Sequence, residues 1–369
     1  GSAALEALYR FLMDELGVVY LLASLACIGL LTWLAFGRYG NVKLSSHGEG
    51  PEFSTVSWVA MLFCGGIGAG LMYWCGIEWT YYYTAPPFGA APRSTEAAEW
   101  ASTYGMYHWG ITAWAIYCLP ALAIAYPYYT RRIPWLRFSN GCHRYLQDRE
   151  LGPTARFVDF WLMVAIIAGA GSSLAFCTPM IAACIARVFG VPYEFWMNLL
   201  VIGLSVAIFA TSVWLGLKRG LKNLSDLTLL LSFVFLAYVL IVGPTNFLVR
   251  ASVNSVGVML QNYIRMNFWT DPYLRSGFLE NWTIFYWAWW MSYAPFIGLF
   301  VTRISRGRTI REVIIGMLVF GSLGCALFYM VVGNFAMHLE LTGQLAVTEI
   351  VQNQGGPVAV VAVLDHLPW

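Results

Sequence analysis

Residues 282–290 hold four tryptophans, Trp282, Trp287, Trp289 and Trp290, inside an apolar run. A second apolar run carries His108-Trp109, Trp114 and Tyr117. Trp109, Trp114 and Tyr117 are separated by five and three residues, so on a helix they occupy neighbouring positions over about two turns. No Asp or Glu accompanies them at mid-run depth. A cation site without a carboxylate works through ring faces. A quaternary ammonium group donates no hydrogen bond, and an aromatic cage is its natural host. Each desolvated ring contributes roughly 0.5–2 kcal/mol, so three or four support micromolar to millimolar binding. For any single tryptophan, packing and headgroup anchoring suffice. The cluster is far more than an interfacial belt needs.

A second chemistry resides in Cys64-Gly65-Gly66-Ile67-Gly68-Ala69-Gly70-Leu71-Met72. Four glycines in six residues cost roughly 1 kcal/mol each in a helix interior. Small residues let helices pack closely in lipid. Glycines this dense read better as an unwound stretch whose carbonyls are free to coordinate an ion. Pro295, in the run that holds the tryptophans, is expected to kink its helix. Broken helices near the bilayer midplane are where secondary transporters place substrate and ions.

The elements that must position these residues are membrane spans. Of 369 residues, 59% are hydrophobic, 17% aromatic and only 11% charged. A soluble chain is roughly 25% charged, so a soluble enzyme, a secreted domain and a disordered protein are all excluded in favour of a polytopic membrane protein. Apolar runs near the 20 or so residues that a bilayer requires occur at about 16–36, 57–80, 109–130, 157–186, 195–216, 226–245, 282–302 and 313–335. Fifteen of the 21 basic residues fall on alternate connections, from Arg38 and Lys43 through Arg131–Arg156 and Lys218–Lys222 to Arg303–Arg311. Those connections are therefore cytoplasmic. The long connections 81–108 and 246–281 lie outside, and the tail from Asn334 begins outside.

Other chemistries find little support. The eight cysteines form no CxxC and the five histidines show no ligand spacing, so no metal site is expected beyond an alkali ion. Ser172-Ser173 and His108 make no catalytic constellation, so the chain is not read as an enzyme. A net charge of +2 offers nothing for nucleic acid. Glu78 and Asp226 sit at or near span ends, where an ion path and simple snorkelling or capping explain them equally well.

The run Phe285-Tyr286-Trp287-Ala288-Trp289-Trp290, then Ala294-Pro295-Phe296 and Arg303-Ile304-Ser305-Arg306-Gly307-Arg308-Thr309, resembles the signature of the betaine/choline/carnitine transporter family. The glycine stretch, Pro86-Pro87-Phe88-Gly89, His108-Trp109-Gly110 and Gly216-Leu217-Lys218-Arg219-Gly220 are similar to it as well, from about Pro51 onward and in the family's order. The resemblance implies an all-α polytopic membrane protein of the bacterial cytoplasmic or inner membrane. Its core is an inverted five-helix repeat of the LeuT type, and it is often a homotrimer. Its substrates are trimethylammonium compounds moved by alternating access, as in osmoprotection. This chain resembles helices two to nine of a twelve-helix pattern. The expected division is residues 1–50 as peripheral helix and cytoplasmic linker (the run 16–36 included), 51–245 as first repeat, 246–281 as extracellular connection and 282–369 as the start of the second repeat.

Carried over position by position, the resemblance places the aromatic box on Trp109, Trp114, Tyr117 and Trp290, with Trp289 close by. Tyr81 matches a substrate-contacting tyrosine of the carnitine branch, and Trp282 and Tyr293 match aromatics of the access pathway. The substrate carboxylate is assigned to backbone N–H groups of Gly66–Gly70. Sodium-coordinating carbonyls map to Cys64 and Ile67, within the stretch that includes Gly66, Gly68 and Gly70. The arginine that replaces sodium in the exchanger branch corresponds to Thr228, and a methionine of that branch to Ile297. Both departures point to a sodium ion as coupling ion. The choline carriers' acid corresponds to Gly70, which argues for a zwitterion. Sodium symport of a betaine is the expectation. A sodium-independent carnitine antiporter and a non-transporting betaine sensor are the alternatives.

Overall fold

A computed structural model describes residues 2–45, 49–66, 68–142, 152–216, 220 and 222–368. Within them the regular structure is helical: α1 Ser2–Arg10, α2 Gly17–Phe36, α3 Thr55–Gly66, α4 Ala69–Thr84, α5 Thr95–His108, α6 Ile111–Ala125, α7 Pro153–Phe189, α8 Phe195–Gly216, α9 Lys222–Val242, α10 Thr245–Phe268, α11 Phe285–Ile304, α12 Ile310–Gly316, α13 Ser322–Phe328, α14 Asn334–Leu341, α15 Val347–Gln354 and α16 Gly356–Leu364. Short π-helical turns at Tyr126–Thr130, Leu279–Ile284, Met317–Gly321 and Tyr329–Gly333 join or extend several of them. All-helical structure is what a bilayer demands, since each backbone polar group must be satisfied within its own segment.

Seven helical stretches among the described residues are long and apolar enough to cross a membrane, or eight with the bent α3–α4 pair. They coincide with the eight expected runs. Side chains such as Ile167, Val206, Phe209, Trp214 and Ile241 are exposed on α7, α8 and α9, as lipid-facing residues are. Two differences stand out. The third span starts well before residue 109, at Thr95, because Thr95–His108 is helical despite its polar residues. The connection 246–281 is largely the 24-residue helix α10, not a loop.

The chain divides into two compact units. The first comprises Gly1–Leu62, His108–Ala170 and Tyr263–Ser322. Its centre is α6 packed along α11, with α2 and the turn Met317–Gly321 also against α6. Gly298 makes the close approach possible: a Cβ there would lie 3.0 Å from the Ala121 nitrogen. Thr302 Oγ1, one turn on, donates to the Ala121 carbonyl at 3.0 Å. Arg308 stands over the Trp58 ring at 4.7 Å and donates to the Phe53 carbonyl, while Trp58 Nε1 donates to Ser305 Oγ. Thr309 then caps α12 through a reciprocal bond with Glu312.

The second unit comprises Phe63–Tyr107, Gly171–Asn262 and Leu323–Trp369. Here α4 is the central helix, packed by the turn Tyr329–Gly333 and by α14, α15 and α16. Tyr329 lies so close to Gly105 that a Cβ there would meet its ring at 2.2 Å, and Gly356 similarly admits the Tyr73 hydroxyl at 2.2 Å. Small residues at such contacts let helices approach without a hydrophobic drive.

Candidate functional site

The aromatic residues converge in the first unit. The helical hydrogen bonding of the third span is interrupted between α5 and α6, where Gly110 takes φ −97°, ψ −144°. The His108 carbonyl next to that interruption accepts from Trp290 Nε1 at 2.9 Å. The indole thereby ties α11 to the break.

Around that hydrogen bond the rings assemble. Trp290 meets Trp109 edge-on at 4.9 Å between centroids and Tyr117 at 5.9 Å, and Tyr117 meets Trp114 at 5.7 Å. Trp289 stacks on Trp290 at 5.0 Å and Tyr286 stacks on it at 5.4 Å, with Trp282 next to Tyr286 at 6.4 Å. Trp109, Trp114, Tyr117 and Trp290 are each at least nine-tenths buried. Edge-to-face pairs set a positive ring edge against a negative face. A trimethylammonium group makes the same electrostatic match, and neighbouring centroids this close let one cation stand within about 6 Å of several rings. Trp114 is fixed from behind by Gly321, whose Cβ would lie 2.4 Å from the indole.

The Trp289 indole N–H is a buried donor with no hydrogen-bond partner. A buried donor left unmatched costs about 1–3 kcal/mol, so the box carries one polar group ready for an acceptor. Tyr293, expected on the access pathway, stands apart from these rings. It packs on Phe296 at 5.8 Å and against Gly169. The span also runs through Pro295 as one helix. The expected break there is not found, and Gly298 and Thr302 hold the following turns against α6.

Two residues of this site were named in sequence motifs but given no role there. Tyr286 is fully buried at the centre of the stack, one helical turn before Trp290. His108 is fully buried with Nε2 3.0 Å from Thr283 Oγ1 and its ring stacked on Tyr286 at 4.9 Å. The spacing Tyr286/Trp290 was a usable signal, since residues four apart share a helix face.

The glycine stretch and its partners belong to the second unit. Thr55–Gly65 and Gly70–Thr84 are bent by 51° at their junction. Gly68 caps α4 in an extended conformation, its carbonyl accepting from Leu71 at 3.0 Å. An added Cβ would find open space at Gly70 and only a 4.0 Å contact at Gly68, so these two glycines are not demanded by close packing. Ile67 lies outside the described residues, as do Leu217, Lys218 and Arg219. Cys64 Sγ donates to the Ser225 carbonyl at 3.2 Å, beside Asp226 and Leu229. That carbonyl is in the first turn of α9, which also carries Thr228, and Asp226 is paired with Lys222 at 2.6 Å. Gly66 ends α3.

Tyr81 is half-buried on α4, near Tyr73. One turn earlier Glu78 is fully buried and accepts from the hydroxyls of Tyr82 and Tyr329. Of the two explanations open for Glu78, snorkelling or capping does not apply, since the carboxylate is sealed inside the unit. Its signal in the sequence was the Tyr four residues on, but the second phenol comes from residue 329 and is not visible locally.

Among the described residues no group of three or more His, Cys, Asp or Glu is arranged to hold a metal.

Comparison with known proteins agrees with this architecture. The model of the betaine/carnitine/choline family transporters matches residues 1–369. The chain is 39% identical over 345 residues to the uncharacterized transporter YeaV of Escherichia coli (strain K12), covering 93% of this chain and 71% of that protein. It is 36% identical over 351 residues to a carnitine transporter of Acinetobacter baumannii, covering 95% and 63%. It is 35% identical over 366 residues to the glycine betaine transporter OpuD of Bacillus subtilis (strain 168), covering 98% and 70%. The chain thus spans about two thirds of the length of these relatives. A multi-pass membrane protein with this site and this match over its whole length is a transporter and not an enzyme: the chain belongs to the betaine/carnitine/choline transporter family.

Proposed function

We propose that the protein carries a quaternary-ammonium zwitterion, glycine betaine or a close analogue, by sodium-coupled symport. The observation that carries the reading is the ring assembly of Trp109, Tyr117 and Trp290 with no carboxylate among them. The trimethylammonium head lies against these rings, with Trp114 and Trp289 supporting them. The unpartnered Trp289 N–H gives the substrate carboxylate a donor beside the cation box. A zwitterion therefore suits the site better than a simple quaternary amine. The relative named as a glycine betaine transporter supports this substrate class.

Sodium is assigned to the break at Gly66–Gly70, next to Cys64 and the first turn of α9. The helices meet there at a 51° bend, and Thr228 supplies no fixed charge. An ion there couples by binding one conformation more tightly than another. A second reading, a sodium-independent antiporter, is favoured by Tyr81, half-buried on α4, and by the relative named as a carnitine transporter.

Titration of intrinsic tryptophan fluorescence separates the cation box from a merely apolar one. Glycine betaine is compared with 3,3-dimethylbutyrate, which keeps the carboxylate and replaces the trimethylammonium group by an uncharged tert-butyl group. A box working through ring faces binds the isostere about tenfold or more weakly, the loss of roughly 1–2 kcal/mol of cation–π attraction. Equal affinities would sink the assignment.

A further inference from the structure

At the basic end of the first unit lies a cavity of about 280 Å³ whose lining includes Tyr128, Tyr129, Arg132, Arg303 and Arg306. It is built by the π-helical turn Tyr126–Thr130, the segment after it and the end of α11. Arg306 is engaged: its Nε and Nη2 donate to Glu49 Oε2 at 3.1 and 2.7 Å. Among the described residues Arg132 and Arg303 have no carboxylate partner. Glu52 is the other carboxylate near Tyr129, so guanidiniums outnumber carboxylates around the cavity. Arg132 is held at φ 57°, a left-handed conformation that a non-glycine residue keeps only where its surroundings impose it.

The second observation is a buried hydroxyl. Tyr129 is 8% exposed, and the Arg303 guanidinium stands at hydrogen-bonding reach of its Oη. Two guanidiniums without a carboxylate partner and the phenol O–H beside Arg303 form a donor set for an oxyanion, and the guanidinium fork matches phosphate oxygens in particular. The cavity also lies among aromatics carrying cations: Arg131 over Tyr126 at 5.5 Å and Arg137 over Trp135 at 5.4 Å. Such residues mark headgroup depth, and the basic loops of this end are cytoplasmic by their charge.

We infer that Arg132, Arg303 and Tyr129 form a phosphate-binding site on the cytoplasmic face, taking the phosphate of an anionic phospholipid headgroup or free inorganic phosphate. Basic cavities at helix ends on that side are suited to anionic headgroups. The site is separate from the aromatic box and stands or falls independently of it.

Native mass spectrometry of the full-length protein tests the assignment, with phosphatidylglycerol, phosphatidylcholine and inorganic phosphate as probes. Wild type is expected to retain phosphatidylglycerol in preference to phosphatidylcholine, or to bind inorganic phosphate. Retention that added phosphate does not displace identifies the lipid as source; phosphate binding without lipid preference identifies the free anion. Arg132→Gln with Arg303→Gln should weaken binding about tenfold per guanidinium removed. Tyr129→Phe, which removes only the hydroxyl, should weaken it less, and Arg137→Gln should leave it unchanged. Should the double variant not fold, the Tyr129→Phe and Arg137→Gln pair decides by the same comparison. The proposal is overturned by wild type that shows neither lipid preference nor phosphate binding, or by Tyr129→Phe and the double variant both binding as wild type does.

Discussion

At the residue scale, Trp290 is the member of the box with two jobs. Its ring meets Trp109 and Tyr117, and its N–H satisfies the His108 carbonyl at the helix break. Trp290→Phe keeps a ring and loses the hydrogen bond; Trp290→Ala loses both. Binding titrations should show the alanine variant losing about 1–2 kcal/mol, a roughly five- to thirtyfold weaker Kd, with phenylalanine in between. Glu78 makes a different prediction, because two phenols converge on it in a dry interior. Glu78→Ala orphans both hydroxyls and should cost about 2–5 kcal/mol of stability, read as an earlier loss of the monodisperse peak on heating. Glu78→Gln keeps an acceptor and should cost less. The clustering of the rings was legible in the sequence because tryptophan is rare and its concentration in an apolar run has few other causes. Glu78 was not, because whether a carboxylate in the span 69–84 faces water or protein depends on Tyr329, which is distant in the chain.

At the element scale, the proposed function rests on where helices stop. The sequence places the break of the second span correctly, since four close glycines have no other strong effect, and the 51° bend is found there. It misplaces the other break. Pro295 leaves α11 continuous, whereas Trp109-Gly110 interrupts the third span. A proline removes one hydrogen bond, and Gly298 and Thr302 hold the following turns against α6. A lone glycine between α5 and α6 gives no comparable warning. Two alanine substitutions separate packing from conformational roles. Gly321→Ala drives a Cβ into the Trp114 indole at 2.4 Å, so it should displace that ring and weaken betaine binding while the protein still inserts. Gly70→Ala meets open space and should leave betaine binding unchanged at saturating sodium. It stiffens the break, however, and should raise the sodium concentration needed for half-maximal uptake.

At the scale of the whole molecule, composition alone established the class. With 11% charged residues the chain had to be a membrane protein, and the eight apolar runs reappear as spans. The two compact units were less legible. Each is assembled from three separate stretches of chain, and hydropathy carries no information on which spans share a unit. The box residues fall in the first unit, and Cys64, Gly66, Gly68, Gly70 and Thr228 in the second. Each unit also takes stretches from both proposed repeats, as interleaved repeats would. Coupling is accordingly a property of the entire protein, to be read by transport. The decisive measurement is uptake of radiolabelled glycine betaine by the full-length protein in liposomes, with and without an inward sodium gradient. Sodium-driven accumulation above the external concentration is the predicted result. Uptake indifferent to sodium and dependent on preloaded internal substrate would contradict symport and assign the protein to exchange.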